Sequence, residues 1–251
     1  MTHAAKTPPK RLVGCELIDL AARSPAAFVD VCEKRYHDRL DRVVETALER
    51  KVQIIMLTGP SAAGKTTTAH KLAERIAARG MRSAVMSLDD FFVGEGRYPK
   101  QPDGSDDYEC VEALDLPVLR SCLASLARTG RCEAPIFSFL SQRPTGETRT
   151  VDARGGIVVV EGLHAFNPAL QVDALPAGTA LHLYAGLREE YAAPDGARVL
   201  ATRDIRLARR LTRDFLFRGH DADFTLGLWP HVCASEDKYI KAFKNLSLIH
   251  I

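Results

Sequence analysis

The sequence predicts an α/β fold of three layers built on a parallel sheet. Three observations carry that expectation. Short apolar runs of strand length, VQIIML and GIVVV among them, recur along the chain; stretches with helical periodicity separate them; and the first run gives way to an Ala-rich helix through GPSAAGKTT at residues 59–67. Strands alternating with helices place crossovers on both faces of a sheet whose strands run the same way.

Residues 1–11, MTHAAKTPPKR, are polar, contain Pro8-Pro9 and lack the apolar stretch of a secretory signal, so they read as a loose tail. Ser24 and Pro25 form a helix start, cap then first helical position. Phe28, Val31, Cys32, Tyr36, Leu40, Val43, Val44 and Leu48 then recur at helical spacing as far as Arg50. That helix carries no chemistry of its own and is expected to pack on the domain that follows. Buried strands are expected over 53–57, 83–88, 157–160 and 180–184. Helices are expected over 65–79, with Ala69, Leu72, Ala73 and Ile76 on one face and Gly80 as the stop, over 116–128 and over 201–217. The stretch 91–156, rich in Pro, Gly, Asp and Ser, reads as a lobe on the substrate side. Residues 1–50 thus form an extension, 51–245 the main domain, and 201–220 a lid within it.

The composition excludes several classes. A formal net charge of +2 gives no general case for a nucleic-acid or membrane-surface partner. The apolar runs are far too short to cross a bilayer. Six cysteines show neither a C-x-x-C pair nor a metal-ligand spacing and read as reduced, mostly buried thiols, which fits a cytoplasmic location.

The strongest local signal is the loop Gly59, Pro60, Ser61, Ala62, Ala63, Gly64, Lys65, Thr66, Thr67. Gly59, Gly64, Lys65 and Thr66 satisfy G-x-x-x-x-G-K-[ST] in the required context, after a strand and at a helix start. Glycines let successive backbone N–H groups turn toward phosphate oxygens, and the helix N-terminus adds its positive end. Lys65 is expected to reach the β- and γ-phosphates of ATP and the Thr66 hydroxyl to ligate Mg²⁺. IVVVEG at 157–162 ends a β-branched strand in Glu161, a second candidate on the metal side. SLDDFF at 87–92 puts Asp89 at a strand end, where a carboxylate can take the proton of an attacking hydroxyl; a turn or helix cap is the plainer reading of that pair taken alone. Finally, Arg203, Arg206, Arg210 and Arg213 fall on one face of the last helix, with Arg209 and Arg218 nearby. They read either as a solvated basic face or, given the phosphate loop, as a lid that neutralises charge in the transition state.

The ordered set GPSAAGKTT, SLDDFF, DYECVEALD, PIFSF, VVVEGLHAFNP and DIRLARRLTRDFLFRG resembles the uridine kinase/phosphoribulokinase family of P-loop kinases, with uridine-kinase-like nucleoside kinases the nearest pattern. The resemblance runs from about residue 54 to 244. It implies transfer of the ATP γ-phosphoryl group to a small hydroxylated acceptor, with the 5′-hydroxyl of a nucleoside favoured, and ATP and Mg²⁺ as cofactors. It implies Asp89 as the base, Phe92 and Tyr98 beside a nucleobase, Phe137 on the substrate side where the family has a tyrosine, Glu109 on ribose hydroxyls, Arg206 and Arg218 facing the acceptor, and Arg209, Arg210 and Arg213 the phosphates. Phe137, Ser138 and Gln142-Arg143 depart from the uridine kinase pattern at the base-reading segment. A kinase of the same family acting on a sugar phosphate or a pantothenate-like alcohol stays open, as does a nucleotide-dependent switch, although no N-K-x-D guanine reader is present. Homo-oligomer formation is also left open. The last residues, LSLIHI, are the translation of CTGTCTCTTATACACATC, a string similar to a transposase adapter used in sequencing libraries. The expectation is therefore that 246–251 are a non-native scar and that the sheet's final strand is missing.

Overall fold

The strand Ile54–Thr58 (β2) is buried along its whole length, and its side chains alternate between two cores. In the computed structural model, which describes residues 10–172, 175–247 and 249–250, it lies at the centre of a five-stranded parallel sheet. Short 3-10 turns aside, the element order begins with β1 (Arg11–Gly14), α1 (Cys15–Arg23) and α2 (Pro25–Glu49). After β2 come α3 (Lys65–Ala78), β3 (Ser83–Ser87), α4 (Leu116–Thr129), β4 (Arg131–Ser138), β5 (Arg143–Asp152), β6 (Ile157–Glu161) and β7 (Ala180–Tyr184). Last are β8 (Glu189–Ala192), β9 (Arg198–Leu200), α5 (Thr202–Arg218), α6 (Ala222–Ser235), a π-helical turn Glu236–Ile240, and β10 (Ile249–His250).

The parallel sheet has the order β10-β7-β2-β6-β3. Ile55 and Leu57 of β2 pack with Val159, Leu181, Leu183 and the inward residues of α2 and α3. Ile54 and Met56 face the other way, against Val158, Val160 and the apolar side of α4. The three layers expected from the sequence are therefore present. Helix α4 starts on Asp115, whose carboxylate accepts from the Val118 N–H at 3.2 Å, and it stops at Gly130 in the left-handed region with φ 71°.

Several expectations need correction. The stretch 91–156 holds, besides α4, a long antiparallel hairpin of β4 and β5. A second small sheet, β1-β8-β9, is also present, with β1 parallel to β8. In α2 only Leu40, Val43, Val44 and Ala47 are buried, so the apolar stripe expected from Phe28 onward covers the core only in its second half; Phe28 and Val31 are about half exposed, at 51% and 50%. All six cysteines are free, but only Cys110, Cys122 and Cys132 are buried. Where the sheet was expected to lack its last strand, Ile249 and His250 pair in parallel with Leu183 and Tyr184 of β7. Of the expected loose tail, residues 1–9 lie outside the described residues. Among those described, no helix is long and apolar enough to cross a membrane.

Candidate active site

The loop between β2 and α3 is shaped by two glycines for different reasons. Gly64 caps α3 at φ 92° and ψ 23°, a left-handed conformation that side chains disfavour. Gly59 passes under the next strand's exit: a Cβ there would sit 2.0 Å from the Ala185 carbonyl oxygen. Ala62 also holds a positive φ, 58°, so the loop stores backbone strain at a non-glycine position. Lys65 opens α3 and lies half-buried, its Nζ 3.3 Å from the Pro60 carbonyl. Burial lowers its pKa, against the opposing pull of Glu161 and Asp89.

Beside the loop, Glu161 ends β6 and is buried. Its Oε1 accepts from Thr66 Oγ1 and from Ser87 Oγ, each at 3.0 Å. Burial first, then the neighbouring Asp89, pushes the Glu161 carboxyl above the ordinary range. No cluster of three His, Cys, Asp or Glu that could hold a metal exists among the described residues. One carboxylate with two hydroxyls does suit Mg²⁺, which keeps most of its waters and takes phosphate oxygens as ligands. Such an ion would also relieve the raised Glu161.

Helix α5 inverts the usual amphipathic arrangement. Its buried residues are Thr202, Arg206, Arg210 and Asp214, whereas Phe215, Leu216 and Phe217 are exposed. The polar face is turned in because it docks on the phosphate loop. Arg210 donates to Ser61 Oγ at 2.9 Å and to Asp214 at 3.1 Å, and it lies 3.7 Å from Glu109 Oε1. Arg209 donates to the Ala62 carbonyl at 3.0 Å. Arg206 departs from expectation. At 2% exposure it is sealed beneath the loop, bonded to the Ser61 carbonyl and to Glu236, with Trp229 against its guanidinium. It does not line the acceptor cavity, because the buried carboxylate of Glu236 captures it first.

That cavity, about 370 Å³, opens between the loop and the hairpin, a size suited to a small molecule. The structure brings into it Ser61, Lys65, Asp89, Phe92, Tyr98, Glu109, Phe137, Arg210, Arg213 and Arg218 of the residues singled out from sequence. Asp89 sits 3.4 Å from Arg218 Nη2, while Asp90 turns away to Arg149 at 2.9 Å. Phe92 packs on Phe137 with centroids 5.6 Å apart and on Tyr98 at 6.2 Å. Burial raises the Glu109 carboxyl, with Arg210 and Lys65 opposing. Sequence reasoning missed Tyr108, Phe139, Gln101, His164 and the α6 residues Phe224, Leu228, His231 and Val232 that also line the cavity. Phe139 had a signal, as the fourth aromatic of FFV…IFSF; the α6 wall had none.

A strand, a glycine-turned loop, a lysine-led helix and an acid on the neighbouring strand together define the class of P-loop nucleotide-binding proteins. Residues 54–173 match the Phosphoribulokinase / Uridine kinase family, to which this stretch of the chain is similar. The uridine kinase of Saccharomyces cerevisiae is 28% identical over 200 residues, which are 78% of this chain and 36% of the yeast protein. The uridine kinase of Lactobacillus helveticus is 29% identical over 179 residues, 70% of this chain and 74% of its own length. The chain therefore spans about a third of the yeast relative and most of the bacterial one. Among solved structures, a Bacillus stearothermophilus protein described as a possible uridine kinase superposes with a TM-score of 0.56 at 15% identity, covering 86% of this chain and 99% of that one. The phosphoribulokinase from Rhodobacter spheroides gives 0.53 at 18% identity, over 78% and 68% of the two chains. These structural likenesses concern the fold.

Proposed function

We propose that the chain is an ATP- and Mg²⁺-dependent phosphotransferase acting on a hydroxyl of a small uncharged acceptor, the 5′-hydroxyl of a nucleoside. The observation that carries this reading is the position of Asp89. It lies between the phosphate loop and an aromatic-walled cavity, paired with an arginine of the lid helix. In the reaction, Asp89 accepts the proton of the attacking hydroxyl as its oxygen takes the γ-phosphoryl group and ADP departs. Lys65, Arg210 and Arg213 offset charge on the transferred group, and Glu109 holds neighbouring hydroxyls. Bound Mg²⁺ supplies charge neutralisation between phosphates, with Thr66 and Glu161 as the residues that would hold it.

The charge distribution favours an uncharged acceptor over a sugar phosphate. Every lysine or arginine lining the cavity, namely Lys65, Arg210, Arg213 and Arg218, belongs to the start of α3 or to α5. The walls from 88–142 and α6 contribute aromatics, Asp89, Gln101, Asp106, Glu109, Gln142 and His231. A second phosphate on the acceptor finds no cation there. ADP release with Mg·ATP, measured against uridine, cytidine, ribose, ribulose 5-phosphate and pantothenate, tests the reading. Faster release with nucleosides is expected. Preference for ribulose 5-phosphate would overturn the acceptor class, and turnover indifferent to all five would favour a switch protein.

A further inference from the structure

The turn after β6 reads Glu161-Gly162-Leu163-His164, and its contacts run in two directions. Toward the phosphate loop, Glu161 receives Thr66 and Ser87 as described. Gly162 is pressed on Leu88 so closely that a Cβ would lie 2.5 Å from the Leu88 Cβ. The Leu163 carbonyl accepts from Thr58 Oγ1 at 2.7 Å. Toward the acceptor cavity, His164 is 5% exposed, and its Nε2 lies 3.0 Å from the backbone carbonyl oxygen of Glu109. A carbonyl only accepts, so Nε2 carries the hydrogen and Nδ1 the lone pair; Nδ1 has no hydrogen-bond partner among the described residues. The ring stands edge-on to Tyr239 of the π-helical turn, with centroids 5.1 Å apart.

Glu109 is thereby fixed on both sides of its Cα. Its own N–H and that of Cys110 donate to Asp107 Oδ1, each at 3.1 Å, and its carbonyl is held by His164. What remains free to vary is the carboxylate, which sits against Arg210. We infer that His164 is a positioning residue for the acceptor: it ties the backbone of Glu109 to the same rigid turn that carries Glu161, so the carboxylate facing the acceptor and the carboxylate facing the phosphates keep one spacing. A misplacement of an acceptor-holding group by a fraction of an ångström is enough to lower the rate of an oriented transfer. The role assigned to Glu109 rests on the reading under Proposed function. The tie itself does not, since it is a bond between His164 and the main chain.

Two variants and two measurements test it. His164→Phe keeps the ring against Tyr239 but removes the donor; His164→Gln loses the ring but carries an amide N–H that can meet the same carbonyl. With Mg·ATP and uridine, His164→Phe should raise the KM for uridine about tenfold, the loss of one buried hydrogen bond, with the KM for ATP unchanged, and His164→Gln should restore most of the loss. Hydrogen exchange across residues 107–114 of the full chain, read without any acceptor, should quicken in His164→Phe and return toward wild type in His164→Gln. Unchanged exchange in His164→Phe, or equal damage by both variants to the KM for uridine and for ATP, would overturn the inference. A wild-type protein that leaves uridine unphosphorylated refutes uridine as the acceptor instead, and the exchange measurement then decides the role of His164 alone.

Discussion

Replacing Arg206 by methionine separates a clamp from a substrate contact. The guanidinium is 2% exposed and Glu236, its partner, 7% exposed, so methionine leaves a buried carboxylate without its hydrogen-bonded cation, with Arg203 Nε 3.7 Å away. Removing one member of a buried pair costs about 3–5 kcal/mol. For a chain of this size each kcal/mol lowers Tm by roughly 2–4 °C, so a fall of roughly 6–20 °C is expected. Adding Glu236→Gln removes the stranded charge and should recover part of it, a coupling on the order of 0.5–3 kcal/mol. The bond to the Ser61 carbonyl is lost too, which loosens the phosphate loop; the KM for ATP should rise several-fold while the KM for the acceptor stays within twofold, orders of magnitude set by one hydrogen bond. Urea and thermal unfolding followed by circular dichroism, together with steady-state kinetics, give all four quantities. Wild-type stability combined with a selectively raised acceptor KM would refute the reasoning, because it would mean that Arg206 reaches into the cavity.

Lys65→Ala should abolish transfer, with kcat down by about 10³-fold or more and Tm close to wild type, since the side chain faces the loop and the cavity rather than a core. Retained turnover within a few-fold would exclude phosphoryl transfer at this loop. Asp89→Asn should cut kcat by about 10²–10⁴-fold with ATP affinity kept, whereas Asp90→Asn, which breaks only the pair with Arg149, should lower stability slightly and spare kcat; the reverse outcome would shift the base by one residue. Burial pushes the His164 pKa down to about 4 from an ordinary 6.5, so protonation favours the unfolded chain. The stability that the neutral ring contributes is complete above about 6.5 and is lost as pH falls through about 4, by about 3 kcal/mol. Urea unfolding at several pH values should thus show a shallower decline for His164→Phe than for wild type, and parallel slopes would contradict a neutral buried ring.

The parts legible in the sequence are those whose physics is local. Strands β2 and β6 are buried on both faces, so each appears as a near-continuous apolar run, and the phosphate loop is a fixed pattern of residues with fixed spacing. Strand β5 has mostly exposed side chains and shows no alternation to read, so from sequence 91–156 reads as a lobe without a visible hairpin. The β8–β9 hairpin did carry a turn signal, Pro194-Asp195-Gly196, with Gly196 at φ 81°. For α5, helical spacing correctly grouped Arg206 with Arg210 and Arg213. Spacing cannot show that Glu236, thirty residues on, would close over Arg206 and leave the others at the cavity. The wall from α6 is likewise a product of chain folding, brought opposite Phe92 and Phe137 from a part of the sequence with no motif of its own.

The hairpin of β4 and β5 is a sheet separate from the one that carries the phosphate loop. Its tip docks on residues 94–95: the Glu95 N–H donates to the Gln142 carbonyl at 2.8 Å, and at Gly94 a Cβ would come within 2.8 Å of Pro144. The two halves of the site can therefore diverge on separate evolutionary schedules. A lineage that alters residues 137–144 reshapes the recess proposed for the acceptor while the phosphate loop and its neighbours on β2, α3 and β6 stay untouched. The hairpin tip is accordingly the segment to transplant or randomise when a new acceptor is sought, with Gly94 retained as the seat on which any replacement must land.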